Sequence, residues 1–463
     1  MTDAVEVVAR LAAELGDRVD VSFDARRAAR ADKSGHAAAG IPVAVVHAGS
    51  VEDVQATLRV ATATGTPVVT RGAGTGLAGA ANAGDGEIAL SVRGMDRILE
   101  VRPDDLIAVV EPGILNADLN AALAPQGLWW APDPASRAIS TVGGNIATGA
   151  GGLLCAKYGV VRDAVLGVDV VLADGRLLRL GHRTVKGVTG LDLTSLMIGS
   201  EGTLGVIVGA TLKLRRTVPG EVCTIAATFP AVRDAATASA AVTASGVQPA
   251  IMELMDAASL AAVHAHLGLT APTPGASQLT IQTDGISAAA DAEAIGRMLA
   301  DAGGTVAVTR DPVGGERLLA VRRAMHPAME RLGTTLIEDV SVPRSALPAM
   351  FDEIARVERE YGLPIPTVAH AGDGNLHPNF VFDASPDASG VVEVPPVVWR
   401  AADALFRAAL ALGGTLTGEH GVGVLKSRWL ADELGDDQWE IQRQITRVFD
   451  PDGILNPGKV FAR

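Results

Sequence analysis

The segment 370–377 reads HAGDGNLH, with His370 and His377 on either side of a Gly-Asp-Gly-Asn turn. Further along, GGTLTGEHGVG (413–423) sets Glu419 and His420 in a second glycine-bracketed turn. Two imidazoles and one carboxylate form a donor set for a divalent ion with open positions, as in catalytic His₂Glu zinc sites. Gly-Asp-Gly-Asn is also good turn chemistry by itself, and a histidine beside a turn is more often a hydrogen-bonding residue than a ligand. His420 has two readings as well. A neutral imidazole of ordinary pKa, about 6.5, can take a proton from a hydroxyl that a metal has acidified. The same ring could instead serve as a fourth ligand or pack the turn.

An anionic ligand needs a cation. ERLLAVRRAMHPAME (316–330) reads as a single helical run with Arg322 and Arg323 adjacent. The guanidinium fork suits a carboxylate. Adjacent helical positions point about 100° apart, so one arginine faces a pocket and the other solvent. His264 and His266 lie two apart in a helical stretch and read as surface or packing residues. Cys155 reads as a small buried residue, and His36 and His47 have no recognisable partner.

Elements must bring these groups together. PVAVV (42–46) reads as a strand and VEDVQATLRVATATG as a helix capped by Ser50 and ended by Gly65. TPVVT is a strand leading into RGAGTGLAG (71–79). Gly74, Gly76 and Gly79 match G-x-G-x-x-G, yet AANAGDGEIALSV follows, which is turn and strand rather than the long helix a dinucleotide fold requires. Such a loop can still grip phosphate through its backbone N–H groups. PDPASRAISTVGGNIATGAGG (132–152) is long, nearly uncharged and rich in small residues, which suits wrapping an extended cofactor. KYGVVRDAVLGVDVVLADGRLLRL (157–180) reads as loop, strand, Asp174-Gly175 hairpin and strand, and IGSEGTLGVIVGATLKL (198–214) as a glycine loop feeding a strand. After RTVPG (216–220), the strand-helix-strand order appears twice. LPIPTVAHAGDGNLHPNFVF reads as two strands around a six-residue turn.

The order RGAGTGLAG, PDPASRAISTVGGNIATGAGG, KYG-VVRD-VLGVDVVLADG, GSEGTLG resembles the flavin domain of the vanillyl-alcohol oxidase superfamily. Within it, the match is to the D-2-hydroxyacid dehydrogenases, which include D-lactate dehydrogenase and the glycolate oxidase flavin subunit. The resemblance runs from about residue 40 to the terminal LNPGKVF. It implies an α+β fold: a two-part FAD-binding domain of the PCMH type with a ferredoxin-like α+β cap. Expected bounds are 1–220 for the FAD domain, 221–424 for the cap and 425–463 for a segment returning to the first domain.

The resemblance also assigns residues. FAD pyrophosphate is expected on Arg71, Gly72, Ala73, Gly74, Thr75, Gly76 and Leu77. Flavin and diphosphate are expected on Pro132, Asp133, Thr141, Gly143, Gly144, Asn145, Thr148, Gly151 and Gly152, and the adenine side on Glu201, Gly202, Gly205 and Ile207. Tyr158 and Asn456 join the cofactor contacts. Thr75 stands where many oxidases of the superfamily carry a histidine bonded to flavin, so FAD is expected to be non-covalent. Gly149 stands where close relatives often have asparagine, so one hydrogen bond is missing or taken by water. In this family His370, His377 and Glu419 correspond to the ligands of a metal, usually zinc. His420 corresponds to the base, Arg322 to the arginine that holds the substrate carboxylate, and Asn379 to a substrate contact, although it could equally be a strand-edge residue. Relatives acting on long dicarboxylic acids carry a basic residue ahead of DVSVP. Here Ile337 and Glu338 stand there, which favours short monocarboxylic acids such as D-lactate, with Arg344 as the alternative source of a cation.

The expected reaction is thus oxidation of a D-2-hydroxy acid, D-lactate first, to the 2-oxo acid, with a quinone, a cytochrome or an electron-transfer flavoprotein as acceptor. Alternatives are a glycolate oxidase flavin subunit that needs partner chains, a D-2-hydroxyglutarate dehydrogenase, and a flavin-binding protein without turnover. A net charge of -14 argues against a nucleic-acid partner. Two distant cysteines make no disulfide framework, the acidic amphipathic N-terminus is no signal peptide, and no run of about 18 apolar residues occurs. The expected location is cytoplasmic, with peripheral membrane attachment and a homodimer left open.

Overall fold

The computed structural model describes residues 3–385 and 392–461. The chain divides into two compact units, one of residues 1–151, 159–217 and 419–463, the other of 152–158 and 218–418. It therefore passes from one unit to the other four times.

In the first unit, β1 (Ala44–His47) leads to α1 (Val51–Thr64), where the Ser50 hydroxyl accepts from the Asp53 N–H at 3.2 Å. β2 (Val68–Arg71) enters the RGAGTGLAG loop, and the next element is β3 (Ile88–Ser91). No helix intervenes, so a dinucleotide-binding β-α-β unit is excluded there. β1, β3 and β2 run parallel in that order, with the short strand Val19–Asp20 antiparallel on β1. β4 (Ile98–Arg102), β5 (Ile107–Val110), α2 (Val142–Thr148), β6 (Val165–Val171), β7 (Leu177–Gly181) and β8 (Val206–Lys213) follow. Their strands form an antiparallel sheet in the order β4-β5-β8-β6-β7. Val54 and Leu58 of α1 pack with Val46, Leu90, Val171 and Val206, which joins the two sheets of this unit in one core. Ile146 of α2 packs with Val110, Val168 and Ile207 in a second core. α2 lies inside the stretch 132–152, for which the sequence reading named no helix. Thr141 caps it by accepting from the Gly144 N–H at 3.1 Å, a signal hidden among the surrounding glycines.

The second unit is built on an antiparallel sheet. β9 (Glu221–Phe229), α3 (Val232–Ala244) and β10 (Ile251–Met255) make one split unit. After α4 (Ala257–Leu267), β11 (Ser277–Gly285), α5 (Ala288–Asp301) and β12 (Thr305–Thr309) make the second. Their order β12-β9-β11-β10 is the ferredoxin-like arrangement expected of the cap. The chain continues with α6 (Pro312–Arg323), α7 (Met325–Glu330), β13 (Thr334–Ile337), β14 (Val340–Ser341), α8 (Leu347–Tyr361), β15 (Thr367–His370), β16 (Asn375–Phe382) and α9 (Pro396–Ala411). β15, β16 and β13 extend the sheet from β10, and β14 also pairs with β16. The run 316–330, read as one helix, breaks at Ala324 (ψ 1°) into α6 and α7.

Strand alternation gives this sheet two unlike faces. On one, Ile225, Ile281, Met252, Leu254, Ala369 and Leu376 are all buried. The other carries Thr224, Gln282, Thr280, Glu253, His370 and Asn375 in cross-strand register. Helices α4 and α7 pack on Met255 and Val368 of this polar face. α6 lies on it too, because Gly315 lets helix and strand approach closely: a Cβ there would stand 2.5 Å from the Thr224 hydroxyl oxygen. That approach carries Arg322, at the end of α6, over the polar face.

Candidate active site

β15 and β16 form the hairpin that holds the two histidines. β16 begins at Asn375, so the turn is four residues long rather than six, and His370 pairs with Asn375 while Val368 pairs with His377. Both imidazoles therefore emerge on the polar face as diagonal neighbours, with ring centroids 5.0 Å apart and planes at 85°. Asn379, two residues on, donates its amide to Pro366 O (3.0 Å) and His377 O (2.8 Å). Its nitrogen braces the hairpin, so Oδ1 is the atom it can offer a ligand.

One residue that the sequence reading passed over organises this face. Glu253, in the middle of β10 and 1% exposed, lies opposite His370 in register. His370 Nδ1 is 2.7 Å from Glu253 Oε1, and Arg322 Nε donates to Glu253 Oε2 at 2.7 Å. Burial works against the Glu253 charge, but His370 and Arg322 outweigh it and hold the carboxyl below its usual range. Arg322 is 11% exposed, and its two Nη atoms have no partner among the described residues. Arg323 points elsewhere and pairs with Glu316 at the surface, as helical geometry predicts. A signal for Glu253 was present: an acid inside the apolar run IMELM, all of which is buried.

Glu419 and His420 belong to the first unit, although the expected bounds put them in the second. The reason is a change of anchors at this point in the chain. Up to Gly418 the backbone is held by Asp339, which accepts the Gly418 N–H at 2.9 Å and the Thr417 hydroxyl at 3.2 Å. Beyond it, Glu201 accepts the N–H groups of Val422 (2.7 Å) and Gly423 (2.9 Å), and Ala78 O accepts from Val424 (2.9 Å). The Glu419 carboxylate lies against Gly151, where an added Cβ would fall 2.5 Å from Oε2, and His420 Nε2 is 3.8 Å from Glu419 Oε1.

The glycine-rich stretches of the first unit fit an absent polar ligand. No backbone N–H of residues 72–77 donates to a protein acceptor among the described residues. Asn145 Nδ2 on α2 and Ser140 Oγ beside it are buried without a hydrogen-bond partner. Gly149 ends α2 in the left-handed region (φ 75°), a conformation that asparagine also tolerates, so the exchange keeps the helix end. Four expected cofactor side chains are engaged with protein instead. Arg71 donates to Ala31 O (2.7 Å) and Ala81 O (2.9 Å), which commits its guanidinium to the protein. Glu201 is committed to Val422 and Gly423, and Asn456 donates to Ala80 O (3.1 Å) and Glu201 O (2.6 Å). Tyr158 lies in the segment that joins the second unit, and its hydroxyl, like Lys157 Nζ, bonds Asp284. As for a second carboxylate, the position ahead of DVSVP holds the buried acid Glu338 rather than a cation, and Arg344, the alternative source of one, is exposed.

The donor chemistry of the hairpin fits a divalent ion. A carboxylate on Nδ1 of His370 fixes the ring so that a metal would meet Nε2, the arrangement common behind metal-binding histidines.

Two family descriptions match the chain, and each spans residues of both units. The family described as FAD linked oxidases, C-terminal domain, matches residues 218–460, and an FAD binding domain matches 42–181. Glycolate oxidase subunit GlcD of Bacillus subtilis is 37% identical over 91% of this chain and 90% of its own. The mitochondrial D-lactate dehydrogenase (cytochrome) of Arabidopsis thaliana is 33% identical over 98% of this chain and 80% of its own. Among solved structures, p-cresol methylhydroxylase with substrate bound superposes with a TM-score of 0.77 at 18% identity, covering 99% of this chain and 97% of that one.

Proposed function

The chain belongs to the FAD linked oxidases, and on that premise we propose that it oxidises a short D-2-hydroxy monocarboxylic acid, D-lactate first, to the 2-oxo acid. FAD would supply the acceptor for the C2 hydride, and a divalent ion, zinc in this reading, would supply the Lewis acid that lowers the pKa of the hydroxyl. The protein supplies binding, orientation and proton transfer. His370, His377 and Glu419 would hold the ion. The Nη edge of Arg322 pairs with the substrate carboxylate, a bidentate charge-assisted contact. His420 takes the hydroxyl proton on its imidazole nitrogen. Asn379 braces the hairpin and presents Oδ1. FAD is non-covalent, because Thr75 offers no nucleophilic ring to the flavin.

The observation that carries this reading is the chain His370–Glu253–Arg322. It ties an imidazole suited to a metal to a guanidinium suited to a carboxylate, through two bonds of 2.7 Å. The test is anaerobic bleaching of the FAD-loaded chain by D-lactate, L-lactate, glycolate and D-2-hydroxyglutarate. D-lactate is expected to bleach fastest and D-2-hydroxyglutarate poorly. His377→Ala should keep its FAD and lose bleaching. Undiminished bleaching in that variant refutes the metal, and a faster response to D-2-hydroxyglutarate refutes the substrate class.

A second reading has the chain as the flavin-carrying subunit of a glycolate-oxidising assembly, and the 37% identity to a glycolate oxidase subunit favours it. It requires the purified chain to be silent toward both glycolate and D-lactate with an artificial dye acceptor.

A further inference from the structure

We propose that Glu253 is a positioning residue that sets the separation between the carboxylate-binding arginine and the metal-binding imidazole, and thereby selects acids whose hydroxyl is on the carbon next to the carboxylate. The inference rests on the roles given above to Arg322 and His370 and adds what links them.

Both oxygens of Glu253 are occupied, one by Arg322 Nε and the other by His370 Nδ1, each at 2.7 Å. A carboxylate is planar and rigid, so the two partners are indexed to one small group. That group has little room to move. It lies mid-strand in β10, hydrogen-bonded on both sides, opposite Thr280 on β11 and His370 on β15. It is shut off from water, so no solvent molecule can take over either bond. Its effect on each partner is directional. On His370 it makes Nδ1 the donor and turns Nε2 to the ion. On Arg322 it occupies Nε and turns the paired Nη edge outward, the edge that accepts a carboxylate with two parallel bonds. A 2-hydroxy acid presents a carboxylate and a hydroxyl on adjacent atoms, one short fixed span. A 3-hydroxy acid inserts a methylene between them. With the two anchors on one rigid carboxylate, the site cannot lengthen to follow.

The experiment compares wild type with Glu253→Gln and Glu253→Asp, all loaded with FAD. Glutamine keeps the shape but offers one acceptor to two donors, and aspartate keeps the charge but is shorter. Zinc affinity is measured by equilibrium dialysis, and kcat/KM with D-2-hydroxybutyrate and D-3-hydroxybutyrate. Expected in both variants are unchanged FAD content, zinc affinity lower by about 10–100-fold, and a preference for the 2-hydroxy acid reduced by roughly tenfold or more. Should neither variant fold, the wild type decides. A spin-active cadmium ion in the zinc position, with nitrogen-labelled histidine, should couple to Nε2 of His370. Coupling to Nδ1, zinc affinity unchanged in both variants, or equal slowing of the two acids overturns the proposal. If the wild type oxidises no 2-hydroxy acid, the functional reading fails, and the zinc and cadmium measurements still decide whether Glu253 positions His370.

Discussion

Single residues here are exposed to unequal electrostatic loads, and Glu201 carries one of the heaviest. Burial pushes its carboxyl up to about 7, against the pull of the Val422 and Gly423 N–H groups and the Lys426 ammonium. Its folded pKa lies above the ordinary carboxyl value, so the folded protein binds this proton more tightly than the unfolded chain. The stabilisation is complete below the unfolded value and is lost as pH rises through about 7. FAD-loaded wild type should therefore lose melting temperature between mildly acidic and neutral pH. Glu201→Gln should show a flatter profile, the difference amounting to something on the order of 3 kcal/mol. Parallel profiles would mean that Glu201 is ionised throughout. At this scale the sequence was legible where neighbours in the chain are neighbours in space. His370 and His377 bracket their own turn, and the turn residues announce it. Glu253 finds its partners 69 and 117 residues away, and no local pattern encodes such pairings.

Elements set where those side chains arrive, and α6 shows how narrowly. Gly315 faces the Thr224 hydroxyl at a distance that no Cβ could keep. Gly315→Ala should displace the helix, at a cost of about 1–3 kcal/mol for overpacking, and move Arg322 at its far end. The kinetic expectation is a raised KM for the 2-hydroxy acid with FAD content intact; a KM equal to wild type would show that the helix yields without moving its arginine. Elements with strong periodicity were readable in advance. The twice-repeated strand-helix-strand order gave the cap architecture, and the Asp174-Gly175 turn gave the β6–β7 hairpin. α2 was not readable, because glycines mask its capped turn. The break at Ala324 had a signal that the reading of 316–330 as one helix passed over: Pro327 has no N–H for the Arg323 carbonyl four residues back and its ring crowds that carbonyl, and α6 ends at Arg323.

The whole molecule carries a net charge of -14. Long-range attraction should favour a cationic electron acceptor and be screened by salt. Turnover with a cationic acceptor is expected to slow as ionic strength rises, and turnover with ferricyanide to quicken; equal responses would mean that surface charge does not govern encounter. Among the described residues no helix is long and apolar enough to cross a membrane. The chain enters the second unit at 152, leaves at 158, re-enters at 218 and leaves at 418. A protease that cuts once at any of these passages leaves three others joining the halves, and exchange of the cap between related genes cannot be made by joining two pieces end to end. A recombinant cap has to bring its short borrowed segment, residues 152–158, with it.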